Sequence, residues 1–153
     1  MARETFSIIP HLVMKNAVGA IDFYIKSLGF KEVSRMLTPD GKILHCVLSF
    51  GEQPIMLSDA FPGMAAGHCR SPEELGGSCV TIHLNVADVD AAFAKAVAGG
   101  AKVTMPVADM FWGDRYGKIV DPFGHHWSMG THKRDVSPEE MKKKVEGMFA
   151  KNK

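Results

Sequence analysis

The sequence lacks any long apolar run and any apolar leader at its start. No segment reaches the roughly 18 consecutive apolar residues that a membrane-spanning helix needs. Residues 1–5 lead into a short strand-like run and not into the apolar core of a signal peptide. We therefore expect that the protein does not associate with a membrane.

The charge of the chain is also close to balanced. Eighteen Lys and Arg side chains face 17 Asp and Glu side chains, which leaves a net charge of +1. Acids and bases are interspersed, and the one basic cluster, Lys142–Lys144, is typical of a solvated helix face. This balance gives no support to a nucleic-acid-binding function.

Cysteine is scarce. The three residues, Cys46, Cys69 and Cys79, form an odd count and have no spacing typical of a metal site. Such cysteine usage favours a reducing compartment, so we expect a cytoplasmic protein.

What the sequence does contain is one internal repeat. Strand, helix and three strands are predicted from Ile8 onward, and the same order returns after Cys79. Asn16 and Asp88 are the predicted helix N-caps. His11 corresponds to His83, Lys31 to Lys102 and Phe50 to Phe123, at offsets of 72, 71 and 73 residues.

This repeat predicts an α+β fold of two tandem βαβββ modules, which form a cupped mixed sheet around a cavity. We expect one domain over residues 1–134, with module 1 at about 7–59, a linker at 60–78 and module 2 at about 79–132. A linker of this length is either a lid over the pocket or a plain connection.

A C-terminal helix is expected over residues 135–153. The segment Ser137–Glu140 reads as a capping box with Pro at the first helical position. Met141, Val145, Met148 and Phe149 give the helix one apolar stripe, which needs a surface in the same chain or in a partner.

Several motifs carry a family resemblance across residues 7–132. They are Ala20–Tyr24 with Leu28–Phe30 in module 1, and Phe111–Arg115 with Asp121–Trp127 in module 2. On these motifs the chain resembles the vicinal oxygen chelate (glyoxalase/bleomycin-resistance/dioxygenase) superfamily, and in particular its PhnB-like branch. That superfamily includes lyases, isomerases, dioxygenases, drug-modifying enzymes and metal-free drug-binding proteins, so the fold does not fix the function.

The resemblance also implies where a metal would bind. Metalloenzymes of the superfamily take their ligands from the first and last strand of each module. The corresponding positions here are Ile9, Met56, Thr81 and Ser128, and none carries an imidazole, carboxylate or thiolate. We therefore expect no metal at the usual positions.

Histidines offer an alternative metal site. His11 and His83 lie two residues beyond Ile9 and Thr81 and so share their faces, and His126 shares the face of Ser128. Three histidines with an open position would suit a catalytic divalent metal, although hydrogen-bonded pocket histidines are the commoner case.

Other side chains are candidates for the ligand pocket. Phe111, Trp112 and Arg115 suit an aromatic or anionic ligand, or equally a core aromatic pair with a surface arginine. His45 is taken as the repeat partner of Lys118 and as a pocket residue. The predicted pocket comprises His11, His45, Met56, Thr81, His83, Phe111, Trp112, Arg115 and Ser128.

Two functions follow from this pattern. The favoured one is a binding protein for a small organic molecule, without the usual metal site. The alternative is a metal-dependent lyase, isomerase or transferase that acts on a small oxygenated substrate through His11, His83 and His126. The sequence leaves open whether the chain is an enzyme, and the resemblance implies a homodimer.

Overall fold

The computed structural model describes residues 7–63 and 70–150. Eight strands and four α-helices follow one another along these residues. They are β1 His11–Met14, α1 Ala17–Phe23, β2 Lys31–Leu37, β3 Ile43–Phe50, β4 Gln53–Asp59, α2 Pro72–Leu75, β5 Thr81–Asn85, α3 Val89–Ala98, β6 Lys102–Asp109, β7 Asp114–Val120, β8 His126–His132 and α4 Pro138–Ala150.

The strands form two four-stranded mixed sheets of identical topology. Their orders are β1-β4-β3-β2 and β5-β8-β7-β6. In each sheet the first strand runs parallel to the last strand of its module, and the other neighbours are antiparallel. The predicted α+β fold of two tandem βαβββ modules with a C-terminal helix is confirmed.

Helices α1 and α3 begin where the sequence predicts. Asn16 and Asp88 are the N-caps of α1 and α3, and their side chains accept hydrogen bonds from the backbone N–H groups of Gly19 and Ala91. After α1, the chain makes a π-helical turn over Tyr24–Leu28. This helical segment ends at Gly29, whose φ of 84° suits glycine.

One apolar core joins the two modules. The helix-covered face of each sheet contributes to it, and residues of α1, the π-helical turn and α3 fill the space between. Tyr24 is fully buried and its ring lies 5.2 Å from that of Trp127, so a module 1 helix packs on a module 2 strand. This packing buries a face that a lone four-stranded sheet would leave bare.

Asp121 is the polar centre of that core. Its carboxylate accepts hydrogen bonds from the Tyr24 hydroxyl at 2.7 Å, from Trp127 Nε1 at 2.8 Å and from the backbone N–H groups of Phe123 and His125. Burial and the neighbouring Asp121 raise the pKa of Tyr24 well above its usual value. The Asp121 side chain therefore connects the turn of Asp121–Gly124 both to the buried core and to the backbone of its own hairpin.

The linker holds a helix that the sequence reading missed. α2 is bounded by Ser71, whose hydroxyl accepts from Glu74 N–H while the Glu74 carboxylate accepts from Ser71 N–H. The motif Ser-Pro-Glu-Glu at 71–74 repeats the one recognised at 137–140, and could have revealed this helix. The predicted lid also includes residues 64–69, which lie outside the described residues.

The C-terminal helix α4 packs on very little. The structure buries none of its residues, and Phe149 is 70% exposed. The Ser137 hydroxyl accepts from Glu140 N–H at 3.1 Å, but the Glu140 carboxylate pairs with Arg134, so only half of the predicted capping box is seen. In the described ranges, no helix has the length and hydropathy to span a bilayer.

Candidate functional site

Each sheet has one face that the helices leave uncovered. We call these the module 1 open face and the module 2 open face. Cross-strand pairing places His11, Val13, His45, Val47, Met56 and Ser58 on the first, and Thr81, His83, Asn85, Tyr116, Lys118, His126, Ser128 and Gly130 on the second. Burial along β5 agrees with this division, because Leu84 is buried whereas Thr81 and His83 are exposed.

On the module 1 open face, His11 is the central polar side chain. Its Nε2 lies 3.3 Å from Ser58 Oγ, its Cα partner on β4 is Met56, and its ring meets the His45 ring edge-on at 5.9 Å. Burial, and secondarily the neighbouring His45, lowers the pKa of His11. The neutral imidazole is therefore favoured at this position.

On the module 2 open face, His83 is held at both ring nitrogens. Nδ1 lies 2.9 Å from Ser128 Oγ and Nε2 lies 3.1 Å from Asn85 Oδ1. An amide oxygen only accepts, so Nε2 carries the proton and Nδ1 of the neutral ring accepts from the Ser128 hydroxyl. One tautomer and one ring orientation follow from this pair of contacts.

The two faces match residue by residue, which corrects one sequence assignment. Val47 pairs with Met56, and Lys118 pairs with the equivalent Ser128, so Val47 corresponds to Lys118. The repeat partner of His45 is therefore Tyr116, not Lys118. The sequence alignment used an offset of 73 residues along this strand (118 − 45), whereas the register gives 71 (116 − 45). This two-residue error keeps the side chain on the same face, so it cannot be detected without the cross-strand register.

An aromatic row extends from His83 along this face. The His83 ring stacks on Tyr116 at 5.7 Å and 19°, and Trp112 meets Tyr116 edge-on at 5.5 Å. Phe111 in turn packs edge-on against Trp112 at 5.1 Å. Tyr116, Trp112 and Phe111 are all half-buried, so the row presents π-surface that a planar ligand could cover.

The structure does not bring Arg115 to this row. Arg115 pairs with Thr131 on the opposite side of β7 from Tyr116. Its guanidinium bridges Asp90 at 2.6 Å and Asp109 at 3.2 Å, and these carboxylates raise the pKa of Arg115. Arg115 lines a separate cleft of about 640 Å³. Because Asp90 and Asp109 already pair with it, its positive charge is neutralised there.

Two further clefts adjoin the open faces. One, of about 370 Å³, lies between the modules and has apolar walls that include Phe30, Phe50 and Ile82, with His83 and Asn85 at one side. The other, of about 650 Å³, contains His126 together with residues of α2 and of the turn after β7. His83 and His126 thus share the module 2 open face but line different clefts.

Some of these side chains were not in the predicted pocket. Asn85, Tyr116 and Ser58 each contact a predicted histidine. Asn85 follows His83 by two residues, so strand periodicity already places it on the same face, although it was not included in the predicted pocket. Ser58 and Tyr116 reach their histidines from other strands, which no local pattern reveals.

The family is settled by comparison with known proteins. The model of the Glyoxalase/Bleomycin resistance protein/Dioxygenase superfamily matches residues 9–129, most of the chain. The protein belongs to this superfamily. The match spans both modules, in agreement with the repeated topology described above.

Several known proteins are similar to this chain in sequence or structure. An uncharacterized Mycobacterium bovis protein, Mb0911c, is 48% identical over 132 residues, which cover 86% of this chain and 87% of that protein. The crystal structure of PA1353 from Pseudomonas aeruginosa is 25% identical, with a TM-score of 0.68 over 85% of this chain and all of that one. The PhnB protein from Bacillus cereus is 19% identical with a TM-score of 0.63, and the match covers 82% of this chain and 99% of that one, which supports the fold alone.

The positions that the sequence resemblance assigns to the superfamily's metal do not carry its usual ligands. They are Ile9, Met56, Thr81 and Ser128, and they provide no imidazole, carboxylate or thiolate. Over residues 7–63 and 70–150, no three His, Cys, Asp or Glu side chains come close enough together to hold an ion. These four positions therefore present apolar and hydroxyl groups, which are poor ligands for a divalent ion.

Two carboxylates, Asp59 and Glu52, lie near the fourth strand, and the first of them serves the fold. Asp59 is buried, and its two oxygens accept from the backbone N–H groups of Ala17 at 2.9 Å and Ile43 at 2.7 Å. Glu52 is exposed in the turn before β4.

Proposed function

We propose that this protein binds a small organic molecule on the module 2 open face, as a glyoxalase/bleomycin-resistance-type binding protein without the usual metal site. The observation that carries the proposal is the stack of His83 on Tyr116, with Ser128 and Asn85 fixing the His83 ring. A ring already held in one orientation loses little entropy when a ligand packs on it.

The chemistry of the face favours a planar, oxygen-bearing ligand. Tyr116 and Trp112 supply π-surface, and the half-buried Lys118 lies opposite Ser128 on the neighbouring strand. An ammonium group beside a hydroxyl and an imidazole suits a carbonyl, phenolate or carboxylate oxygen. The apolar 370 Å³ cleft next to His83 could take an aliphatic part of the same molecule.

A thermal-shift screen against small aromatic acids, phenols and ketones tests this proposal. A hit should raise the unfolding temperature of the wild type by mass action. The shift should be lost in His83→Ala and Tyr116→Ala and kept in His45→Ala, which removes a ring from the module 1 open face. A hit lost only in His45→Ala would place binding on the other face and refute the proposal.

The alternative function is a metal-dependent lyase, isomerase or transferase that acts on a small oxygenated substrate. One observation favours it: His11, at the position equivalent to His83, has a lowered pKa, and metals bind neutral imidazole. His11 lies on one open face and His83 and His126 on the other, so a shared ion requires these faces to meet.

Elemental analysis of the purified protein decides between the two functions. A near-stoichiometric ion, with a thermal shift from Ni²⁺, Zn²⁺, Mn²⁺, Co²⁺ or Fe²⁺ that His11→Ala and His83→Ala abolish, would establish the metal site. His132→Ala is the matched control, because His132 lies outside the three proposed ligands. No ion and no metal-dependent shift would leave the metal-free function.

We also propose that the protein is a homodimer in which a second copy covers the open faces. Val33, Met36 and Leu37 of β2 are each more than half exposed, and such an edge strand favours association. Light scattering after gel filtration should give twice the chain mass of 16.7 kDa. Met36→Lys should shift the protein toward monomer, whereas Lys26→Glu, at an exposed position of the π-helical turn after α1, should not. A wild-type monomer would refute the dimer.

We infer a cytoplasmic location from the cysteines. Cys46 and Cys79 are both free thiols, and burial raises the pKa of Cys46 to about 11, so its thiol stays protonated. Cell fractionation with a cytoplasmic marker tests the location, and recovery in a membrane or secreted fraction would contradict it.

A further inference from the structure

A continuous set of contacts links the candidate ligand site to the C-terminal segment. Tyr116, which stacks on His83, meets Trp112 edge-on at 5.5 Å. The indole Nε1–H of Trp112 donates to Asp114 Oδ2 at 2.9 Å. The other oxygen of the same carboxylate, Oδ1, lies 2.8 Å from His132 Nδ1 at the end of β8.

His132 is held between two carboxylates. While Nδ1 contacts Asp114, Nε2 lies 3.0 Å from Oδ1 of Asp135, in the segment between β8 and α4. An ionised carboxylate only accepts hydrogen bonds, so both contacts form together only when both ring nitrogens carry hydrogen. The geometry is that of the imidazolium.

The surrounding charges support this protonation state. Hydrogen bonds to Asp114 and Asp135 raise the pKa of His132 above its usual value. The nearby cations do not compete for these carboxylates, since Arg115 is paired with Asp90 and Asp109 and Arg134 with Glu140. Lys133, the next residue, contributes its backbone N–H to Gly113 O.

The backbone around this contact is tightly fitted. Gly113 has a φ of 103°, and its carbonyl accepts from the N–H groups of Lys133 and Arg134 at 3.0 and 3.1 Å. A Cβ at Gly113 would lie 2.0 Å from the Arg134 carbonyl oxygen. The segment after β8 therefore lies directly on the turn that carries Trp112.

We propose that His132 is a positioning residue for the candidate ligand site: in its protonated form it clamps Asp114 to Asp135, and Asp114 holds Trp112 against Tyr116. When His132 loses its proton, the ring can donate to only one carboxylate, and the hold on the indole weakens. The aromatic wall of the site thus responds to pH. The consequence for ligand affinity rests on the proposed function, whereas the proton-dependent setting of Trp112 does not.

Tryptophan fluorescence tests the clamp without any ligand. The chain has two tryptophans, and Trp127 is fully buried against Asp121. Emission of the wild type should titrate with a midpoint above 6.5, the ordinary histidine value. The titration should vanish in Trp112→Phe, which keeps Trp127, and in His132→Gln, which donates but does not titrate.

Asp135→Asn separates the clamp from a merely local effect. Asp135 makes no hydrogen bond with Trp112, yet removal of its charge should lower the midpoint. His126→Gln is the matched control and should leave the midpoint unchanged. A midpoint that is identical in Asp135→Asn, or a titration that persists in His132→Gln, would overturn the proposal.

The ligand arm uses 8-anilinonaphthalene-1-sulfonate, an aromatic anion, as the probe. The wild type should bind it several-fold more weakly at about pH 9 than at about pH 5, and His132→Gln should show a smaller change. If the probe does not bind while the fluorescence titration is intact, the proposed ligand site fails and the clamp stands. If the probe binds but Trp112 does not titrate with His132, the clamp fails and the ligand site stands.

Discussion

Asp59 and Thr131 occupy equivalent positions in the two modules and perform the same task with different chemistry. Asp59 Oδ1 accepts the N–H of Ala17, the first residue of α1, at 2.9 Å. Thr131 Oγ1 accepts the N–H of Val89, the first residue of α3, at 2.8 Å. The last strand of each module therefore fixes the start of that module's helix.

Asp59→Asn should destabilise the protein. Both oxygens of Asp59 accept from backbone N–H groups, so the amide nitrogen of Asn would face a donor and leave it unpaired. We expect a loss of about 1–3 kcal/mol in the free energy of unfolding, measured by urea denaturation. Asp88→Asn, at an exposed N-cap where Asn serves equally well, should change it little; equal losses would contradict the argument.

Tyr24→Phe should cost about 1–2 kcal/mol in the free energy of unfolding. The change removes the hydroxyl that donates to Asp121 at 2.7 Å and leaves that buried carboxylate with three of its four donors. Tyr116→Phe is the control, because Tyr116 is half-buried on an open face. A Tyr24→Phe protein as stable as the control would show that the hydrogen bond from Tyr24 to Asp121 makes no net contribution to the free energy of unfolding.

Gly130→Ala should move the His83 ring without unfolding the protein. A Cβ at Gly130 would lie 3.1 Å from His83 Cε1, a contact tight enough to displace an exposed ring. The His83 ring signals should shift in NMR spectra, and any screened ligand should bind more weakly. Gly147→Ala, where a new Cβ meets no atom within 4 Å, should do neither. Unchanged His83 signals in Gly130→Ala would contradict this placement.

His11 should make the protein less stable in acid. Its pKa is lowered in the folded state by burial and by His45, so the unfolded chain binds a proton more readily. The contribution of neutral His11 to the free energy of unfolding is present above its pKa in the unfolded chain, about 6.5. It is lost as the pH falls through its lower pKa in the folded protein. In urea titrations, His11→Gln should reduce the loss of unfolding free energy at acidic pH. His132→Gln should not reduce it, because the pKa of His132 is shifted in the opposite direction.

Removal of residues 137–153 should leave the fold intact. None of the α4 residues is buried, so the helix adds little to the core of its own chain. We expect a change of about 1 kcal/mol or less in the free energy of unfolding, and calorimetry tests this. A large loss that depends on protein concentration would instead show that α4 docks on a second copy.

Local patterns determined much of this protein. Strand alternation placed His11 and His83 on uncovered faces, because successive side chains point to opposite sides of a strand. Asn16 and Asp88 marked the helix starts, since a cap acts within four residues of chain. The repeat then followed from the order of these elements, and with it the fold class.

The contacts between strands were decided only by the tertiary structure. Which residue lies opposite His83 or His11 depends on sheet register, and this made Tyr116, not Lys118, the counterpart of His45. The partners of Arg115, Asp121 and His132 are likewise distant in sequence or on other elements. Periodicity sets the direction in which a side chain points, but only the packed chain sets what it meets.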